Sequence, residues 1–221
     1  MSGGGHAKER AFTVFFMVAV TFVFISLVSG IHLATADVVR RNESLYLRKA
    51  IAAAAGMDEA ESDAAVLDWY ERSVRPVSGV TGDPRYYRID SEGREGAEAG
   101  YVFPRQGAGL WGTIRAVVGM DRSLRRFTGV SFVEHNETPG LGARISEDWF
   151  KRQFVGKTGP FVLVDEGTKS EQPTEIDAIT GATVTSTAVR DMMNKLVDSA
   201  GDIVSAPADE AAGAAAGGAG K

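Results

Sequence analysis

Apolar and polar positions along the chain fall into distinct textures. From Ala11 to Ala36, "AFTVFFMVAVTFVFISLVSGIHLATA", no side chain is charged. As a helix rising about 1.5 Å per residue, this run exceeds the ~30 Å hydrocarbon thickness, and a helix satisfies its own backbone in lipid. It predicts one membrane-spanning helix. Next, "DVVRRNESLYLRKAIAAAAGM" reads as helical up to Gly56, where glycine suits a C-terminal stop. "ESDAAVLDWYERSV" reads as a second helix, with Ser62 as N-cap and Pro76 beyond its end. The runs then shorten. "RYYRID", "GYVFP", "GTIRAVVGM", "FTGVSFVEH" and "FVLVD" are aromatic or β-branched stretches between Gly, Pro, Asp and Ser, which predicts strands and turns. "SEDWFKRQF" reads as a short helix capped by Ser146 with acids in its first turn. Val189, Met192, Met193 and Leu196 recur at i, i+3, i+4 and i+7, the apolar stripe of a last helix starting near Thr185.

These elements predict an α+β fold: a single N-terminal transmembrane helix followed by one mixed α/β domain. The expected boundaries are a tail at 1–10, the span at 11–36, a helical connector at 37–57, the body at 58–204 and a tail at 205–221. That last segment, "SAPADEAAGAAAGGAGK", buries too little to order itself. Ala34-Thr35-Ala36 also fits a signal-peptide cleavage site, but the apolar run is longer than a signal peptide's, so a retained anchor is favoured. Lys8 and Arg10 precede the span, while Arg40, Arg41, Arg48 and Lys49 follow it. Taken alone, that bias places the body on the cytoplasmic side.

Composition narrows the chemistry. The chain of 221 residues has no cysteine, which excludes disulfides and cysteine-held zinc or iron–sulfur clusters, and only three histidines. The net charge of −5 argues against a nucleic-acid partner. Redox chemistry in such a chain rests on an organic cofactor.

Three segments carry candidate chemistry. In "GAGLWG", Gly107, Gly109 and Gly112 match the spacing of a dinucleotide fingerprint, but a strand-like run follows where that motif needs a helix, so a glycine-rich connection between strands is the reading. Leu110 and Trp111 remain as large apolar groups on a loop, suited to a flat ligand. In "EHNETPGLGARI", Pro139-Gly140 suits a type II turn. Either it is only a turn, or Gly140 and Gly142 admit something planar while Glu137 and Thr138 bond to it. His135 stands alone and reads as a structural polar residue. In "DAITGATVTS", Thr180, Thr183, Thr185 and Ser186 crowd four hydroxyls at a helix entrance. Thr183 or Thr185 can cap the helix, with Gly181 letting the chain bend. A helix N-terminus is also a seat for phosphate, and Thr185 and Ser186 can donate to its oxygens.

"DAITGATVTS" resembles the flavinylation motif D-x-x-[S/T]-G-A-[S/T]-x-T of the FMN-binding domain family. That family includes the C subunit of the sodium-translocating NADH:quinone reductase and the G subunit of the Rnf ferredoxin:NAD oxidoreductase complex. "GAGLWG", "ETPGLGARI" and "FVGK" resemble segments of the same subunits, in the same order. The resemblance implies FMN joined covalently to Thr183 by a phosphoester, installed from FAD by a separate flavin transferase that recognises Asp177, Thr180, Gly181 and Ala182. It implies that Glu137, Thr138, Pro139, Gly140, Leu141 and Gly142 pack against the isoalloxazine, with Leu110 and Trp111 as apolar neighbours. Lys157, in "FVGK", matches a family position without an assignable role. The implied protein is a one-electron relay subunit, not catalytic alone, in a bacterial or archaeal cytoplasmic membrane. Its partners are integral subunits of an Rnf or quinone-reductase type complex, and its flavin domain is extracytoplasmic, against the charge bias. Two alternatives stay open: a membrane-anchored non-redox binding module, and a stand-alone anchored FMN reductase.

Overall fold

The computed structural model describes residues 4–58, 61–78, 83–90 and 99–206; the expected tail at 205–221 lies outside them beyond Ala206. The chain divides into two compact units, Met1–Ser44 and Leu45–Lys221. The first unit is helical. Helix α1 runs over Gly4–Ala54 without a break, so the expected span and connector are one helix. Phe12, Phe15, Phe16, Phe22 and Leu33 all stay exposed on it, an outward apolar surface that suits lipid on every side. It is long and apolar enough to cross a membrane.

The second unit starts at Leu45 rather than at the expected 58, because the end of α1 belongs to its core. Ala50, Ile51, Ala52, Ala54 and Ala55 are buried there. The helix stops in a Schellman arrangement: Met57 N–H donates to Ala52 C=O, Gly56 N–H donates to Ala53 C=O, and Gly56 has φ +91°. Helix α2 (Asp63–Ser73) is capped by Ser62, which accepts from Ala65 N–H at 3.3 Å as its sequence predicts. It leads straight into β1 (Val74–Ser78), a strand that sequence reading passed over.

Strands β1, β2 (Pro84–Ile89), β3 (Gly100–Ala108), β4 (Thr113–Asp121) and β5 (Phe127–Glu134) form one antiparallel sheet in chain order. β3 outruns the expected "GYVFP" and carries the chain through Gly107 to the loop before β4. Alternation puts neighbouring side chains on opposite faces. Val102 and Val117 pack towards α2 and the end of α1, while Phe103, Ala116 and Val118 pack on the other side. Because both faces are covered, β4 reads as a continuous apolar run rather than an alternating one.

The second face is covered by α3 (Asp148–Arg152), by a parallel pair β6 (Val162–Val164) and β7 (Glu175–Asp177), and by α4 (Thr183–Ser205). The expected stripe Val189, Met192, Met193 and Leu196 is fully buried. Phe127, Phe154 and Phe161 meet at centroid distances of 5.0 and 5.4 Å; burying each such ring contributes about 1.5–3 kcal/mol. Asn194 locks α4 to this layer by accepting from Phe161 N–H at 2.6 Å and donating to its C=O at 3.0 Å.

Two caps differ from expectation. Ser146 does not cap α3: Glu147 holds that position with no side-chain bond, and Ser146 Oγ pairs with His135 Nε2 at 2.9 Å. A short 3-10 turn at Gly142–Ser146 precedes α3 and turns the serine away from the helix. Likewise α4 begins at Thr183, with Ala182 as its cap residue and no side-chain cap.

Candidate functional site

Glu137 ties the first two candidate segments to the start of α4. Its side chain is buried, 5% exposed. Oε1 accepts from Trp111 N–H at 3.2 Å, on the β3–β4 loop, and Oε2 accepts from Thr185 Oγ1 at 2.5 Å, on the first turn of α4. Two glycines make room for it. A Cβ on Gly109 would stand 2.3 Å from Oε1, and one on Gly142 would stand 2.7 Å from Oε2. Gly109 of "GAGLWG" and Gly142 of "ETPGLG" thus admit a carboxylate of this chain. Both carboxylate oxygens of Glu137 accept bonds from inside the protein, so it positions the Trp111 loop against the first turn of α4.

The "ETPG" segment folds as its residues predict. Leu141 N–H donates to Thr138 C=O at 3.1 Å, and Gly140 at the third position has φ +75°, as a type II turn requires. Thr138, Pro139, Gly140 and Leu141 are exposed. Thr138 Oγ1 accepts from Trp111 Nε1 at 3.0 Å, which fixes the indole against this turn. His135 serves as scaffold, accepting Glu137 N–H at 3.4 Å while its other nitrogen faces Ser146.

The loop before α4 divides its hydroxyls between inside and outside. Ser186 Oγ accepts from Ile179 N–H at 2.9 Å and donates to Ala182 C=O at 3.0 Å. Thr185 and Ser186 are both buried, so their hydroxyls hold the loop together and do not face a phosphate, contrary to the sequence reading. Neither Thr183 nor Thr185 caps the helix. Thr180 and Thr183 remain exposed. Gly181, at φ +77°, turns the chain into the helix, with Leu141 Cδ2 only 3.1 Å from where its Cβ would be. The first helical bond is Ser186 N–H to Ala182 C=O. The amides of Thr183, Val184 and Thr185 therefore precede the intrahelical ladder, at the positive end of a 23-residue helix.

Sequence reading missed the pair that supports this loop from behind. Arg144 donates to both oxygens of Glu166, at 3.2 and 2.7 Å, and Thr180 N–H donates to Glu166 Oε2 at 2.7 Å. The Arg144 bond first, and the Thr180 bonds next, pull the Glu166 carboxyl down from 4.5 to about 2. Arg144 lies in "ETPGLGARI" without an assigned role there, and Glu166 belongs to no recognisable motif; their partnership spans 22 positions. Asp177 is not at the surface. It is 7% exposed, and its carboxylate accepts from Gly167 N–H at 2.8 Å and from Lys169 N–H at 3.1 Å. Lys157 gains a role, since its ammonium donates to the carbonyls of Ser170 and Glu175 and staples the 165–175 loop.

Four exposed apolar side chains stand on the segments joined to the first turn of α4: Leu110 (53%), Trp111 (67%), Leu141 (44%) and Val184 (54%). An exposed hydroxyl on a helix N-terminus, free amides behind it and apolar surface on the adjoining segments fit a planar group tethered through phosphate.

A model of the FMN-binding domain family matches residues 109–198. Over 114 residues the chain is 36% identical to the G subunit of the ion-translocating oxidoreductase complex of Methanosarcina acetivorans, covering 51% of this chain and 56% of that one. Over 100 residues it is 31% identical to the C subunit of the Na(+)-translocating NADH-quinone reductase of Yersinia pestis, covering 42% and 38%. The matches thus span about half or less of these relatives' lengths. The crystal structure of the C subunit of the Na(+)-translocating NADH-quinone reductase from Parabacteroides distasonis shares the fold, with a TM-score of 0.59 at 22% identity over 76% of this chain and 96% of that one. The stretch from 109 to 198 that is similar to the FMN-binding domain family holds Glu137, Thr183 and nearly all of the three segments around them.

Proposed function

We propose that this chain is the flavoprotein subunit of a membrane-bound, ion-translocating electron-transport complex of the Rnf or quinone-reductase type. It carries FMN through a phosphoester on Thr183 Oγ1 and relays single electrons, with no turnover of its own. When bound, the flavin supplies stepwise one-electron transfer between a two-electron donor and one-electron acceptors. Thr183 is exposed at the first residue of α4, where amides outside the helical ladder and the dipole stabilise a phosphate. That exposed hydroxyl, set apart from its buried neighbours Thr185 and Ser186, is the observation that carries the reading. Attachment replaces the adenylate of FAD at the FMN phosphorus, with AMP leaving and the threonine proton passing to solvent; a flavin transferase performs it.

Leu110, Trp111 and Leu141 offer apolar surface for the ring system, and Gly140 leaves one position of the Thr138–Leu141 turn without a side chain. Asp177, Lys157, Arg144 and Glu166 act by fixing the loop that presents Thr180 to Thr183, so Asp177 serves transferase recognition through that loop. Helix α1 anchors the chain beside integral partner subunits, with the body extracytoplasmic where the transferase works.

Expression with and without a flavin transferase tests the reading on denaturing gels under ultraviolet light. A fluorescent band is expected only with the transferase, lost in Thr183→Ala and retained in Thr183→Ser. Fluorescence that survives in Thr183→Ala sinks the assignment. A colourless protein after acid precipitation from the native host favours the non-redox binding module instead.

A further inference from the structure

A cavity of about 460 Å³ lies beside the end of β3, with α4 on one side and Leu47, Val117 and Val133 on the other, lined by residues that have no part in the Thr183 site. Arg105, on β3, reaches into its wall with the guanidinium carbon 5.6 Å from the centroid of the Phe103 ring. Its Nε and Nη2 are closed off from solvent, and neither has a hydrogen-bond partner among the described residues. These two nitrogens share one edge of the guanidinium plane. Their N–H bonds point the same way, as the fork that pairs with two oxygens of one oxyanion. The ring offsets part of the charge but accepts neither in-plane donor.

The surroundings demand an anion. Arg105 and Lys195 bring two cations to the α4 side of the cavity, Arg115 and Gln106 line it from the opposite face of the sheet, and no carboxylate lines it. Arg115 is committed to Glu134 at 3.0 Å. Burial lowers the Arg105 pKa, yet an arginine remains charged at any physiological pH. A buried cation with unmet donors is costly, and a bound oxyanion removes that cost.

We propose that this cavity is a phosphate site, in which the Arg105 fork takes two phosphate oxygens and Lys195 closes over the group from the rim. Because both nitrogens are closed off from solvent, engagement requires the guanidinium to turn off the Phe103 ring and into the cavity. Met192 and the neighbouring apolar wall also suit a phosphate carried on a lipid, so two sources share this chemistry. The site is independent of the flavin and of Thr183.

The test is thermal unfolding of the detergent-solubilised full chain. One arm titrates inorganic phosphate against sodium chloride at matched ionic strength; the other compares micelles containing phosphatidylglycerol with micelles containing phosphatidylcholine. A saturable rise in midpoint with inorganic phosphate identifies a free phosphate as ligand. A rise with phosphatidylglycerol alone identifies a lipid headgroup. Arg105→Lys keeps the charge but loses the fork, and is expected to raise the half-saturating concentration at least tenfold. Lys195→Glu, at an exposed position on α4, is expected to raise it several-fold. No saturable rise with either probe overturns the proposal, as does a rise left undiminished in both variants, which is what general salting-out by phosphate produces.

Discussion

Glu137 and Gly109 are coupled by a single contact, and a double-mutant cycle measures it. In Gly109→Ala, the new Cβ would lie 2.3 Å from Glu137 Oε1 and 2.9 Å from Ile114 Cδ1. The carboxylate must retreat, which stretches its bonds to Trp111 N–H and Thr185 Oγ1. Overpacking costs about 1–3 kcal/mol, and bonds to a charged acceptor are worth about 1.5–3 kcal/mol each. A total of about 3 kcal/mol is expected. Glu137→Ala alone orphans two donors, one of them on a buried threonine, for a similar cost of about 3 kcal/mol. In the double variant the clash with Oε1 is gone and the Cβ meets Ile114 Cδ1 and Cγ1 at 2.9 and 3.0 Å, so adding Gly109→Ala then costs about 1 kcal/mol. The expected coupling is about 2 kcal/mol. For a body of this size 1 kcal/mol moves the midpoint by about 2–4 °C. Gly109→Ala should therefore lower the melting temperature by roughly 6–12 °C in the native background and by at most about 4 °C beside Glu137→Ala. Tryptophan fluorescence of the detergent-solubilised chain reads it, with Trp111 as local reporter. Additivity within about 0.5 kcal/mol refutes the reasoning, because it would mean that the carboxylate and the glycine do not share that space.

Glu166 titrates below its ordinary value of 4.5, near 2, because Arg144 and Thr180 bond its charged form. Its contribution to stability is therefore fully present above about 4.5 and is lost as pH falls towards 2; melting temperature against acid pH should be flatter in that window for Glu166→Gln than for the native chain. Gly181→Ala forces φ +77° on a side chain and crowds Leu141 Cδ2, at an expected cost of about 1–3 kcal/mol; an unchanged melting temperature would contradict the turn described. Asp177→Asn weakens the acceptor of the Gly167 and Lys169 amides, so limited proteolysis should cut faster in the 165–171 loop while the rest of the body stays resistant. If Asp177 acted only at the surface, protease sensitivity there would not change.

Some of this protein is determined within a few residues of chain, and there its sequence is sufficient. An uncharged run of membrane length, Ser62 ahead of α2, Pro139-Gly140 between Thr138 and Leu141, and the stripe from Val189 to Leu196 each act through periodicity or a bond of short reach. The candidate segments were legible for the same reason, as contiguous motifs. Tertiary structure decided what their residues do. Four hydroxyls stand in "DAITGATVTS", and only burial turns Thr185 and Ser186 inward and leaves Thr183 outside. Ser146 answers His135 instead of its own helix because a 3-10 turn aims it elsewhere. Glu137 meets Thr185 across 48 positions and Trp111 across 26, and Arg144 meets Glu166 across 22. No local pattern records such pairings. They follow from which donors are carried out of water together when the two faces of one sheet are covered, and a buried donor takes the nearest acceptor that packing leaves it.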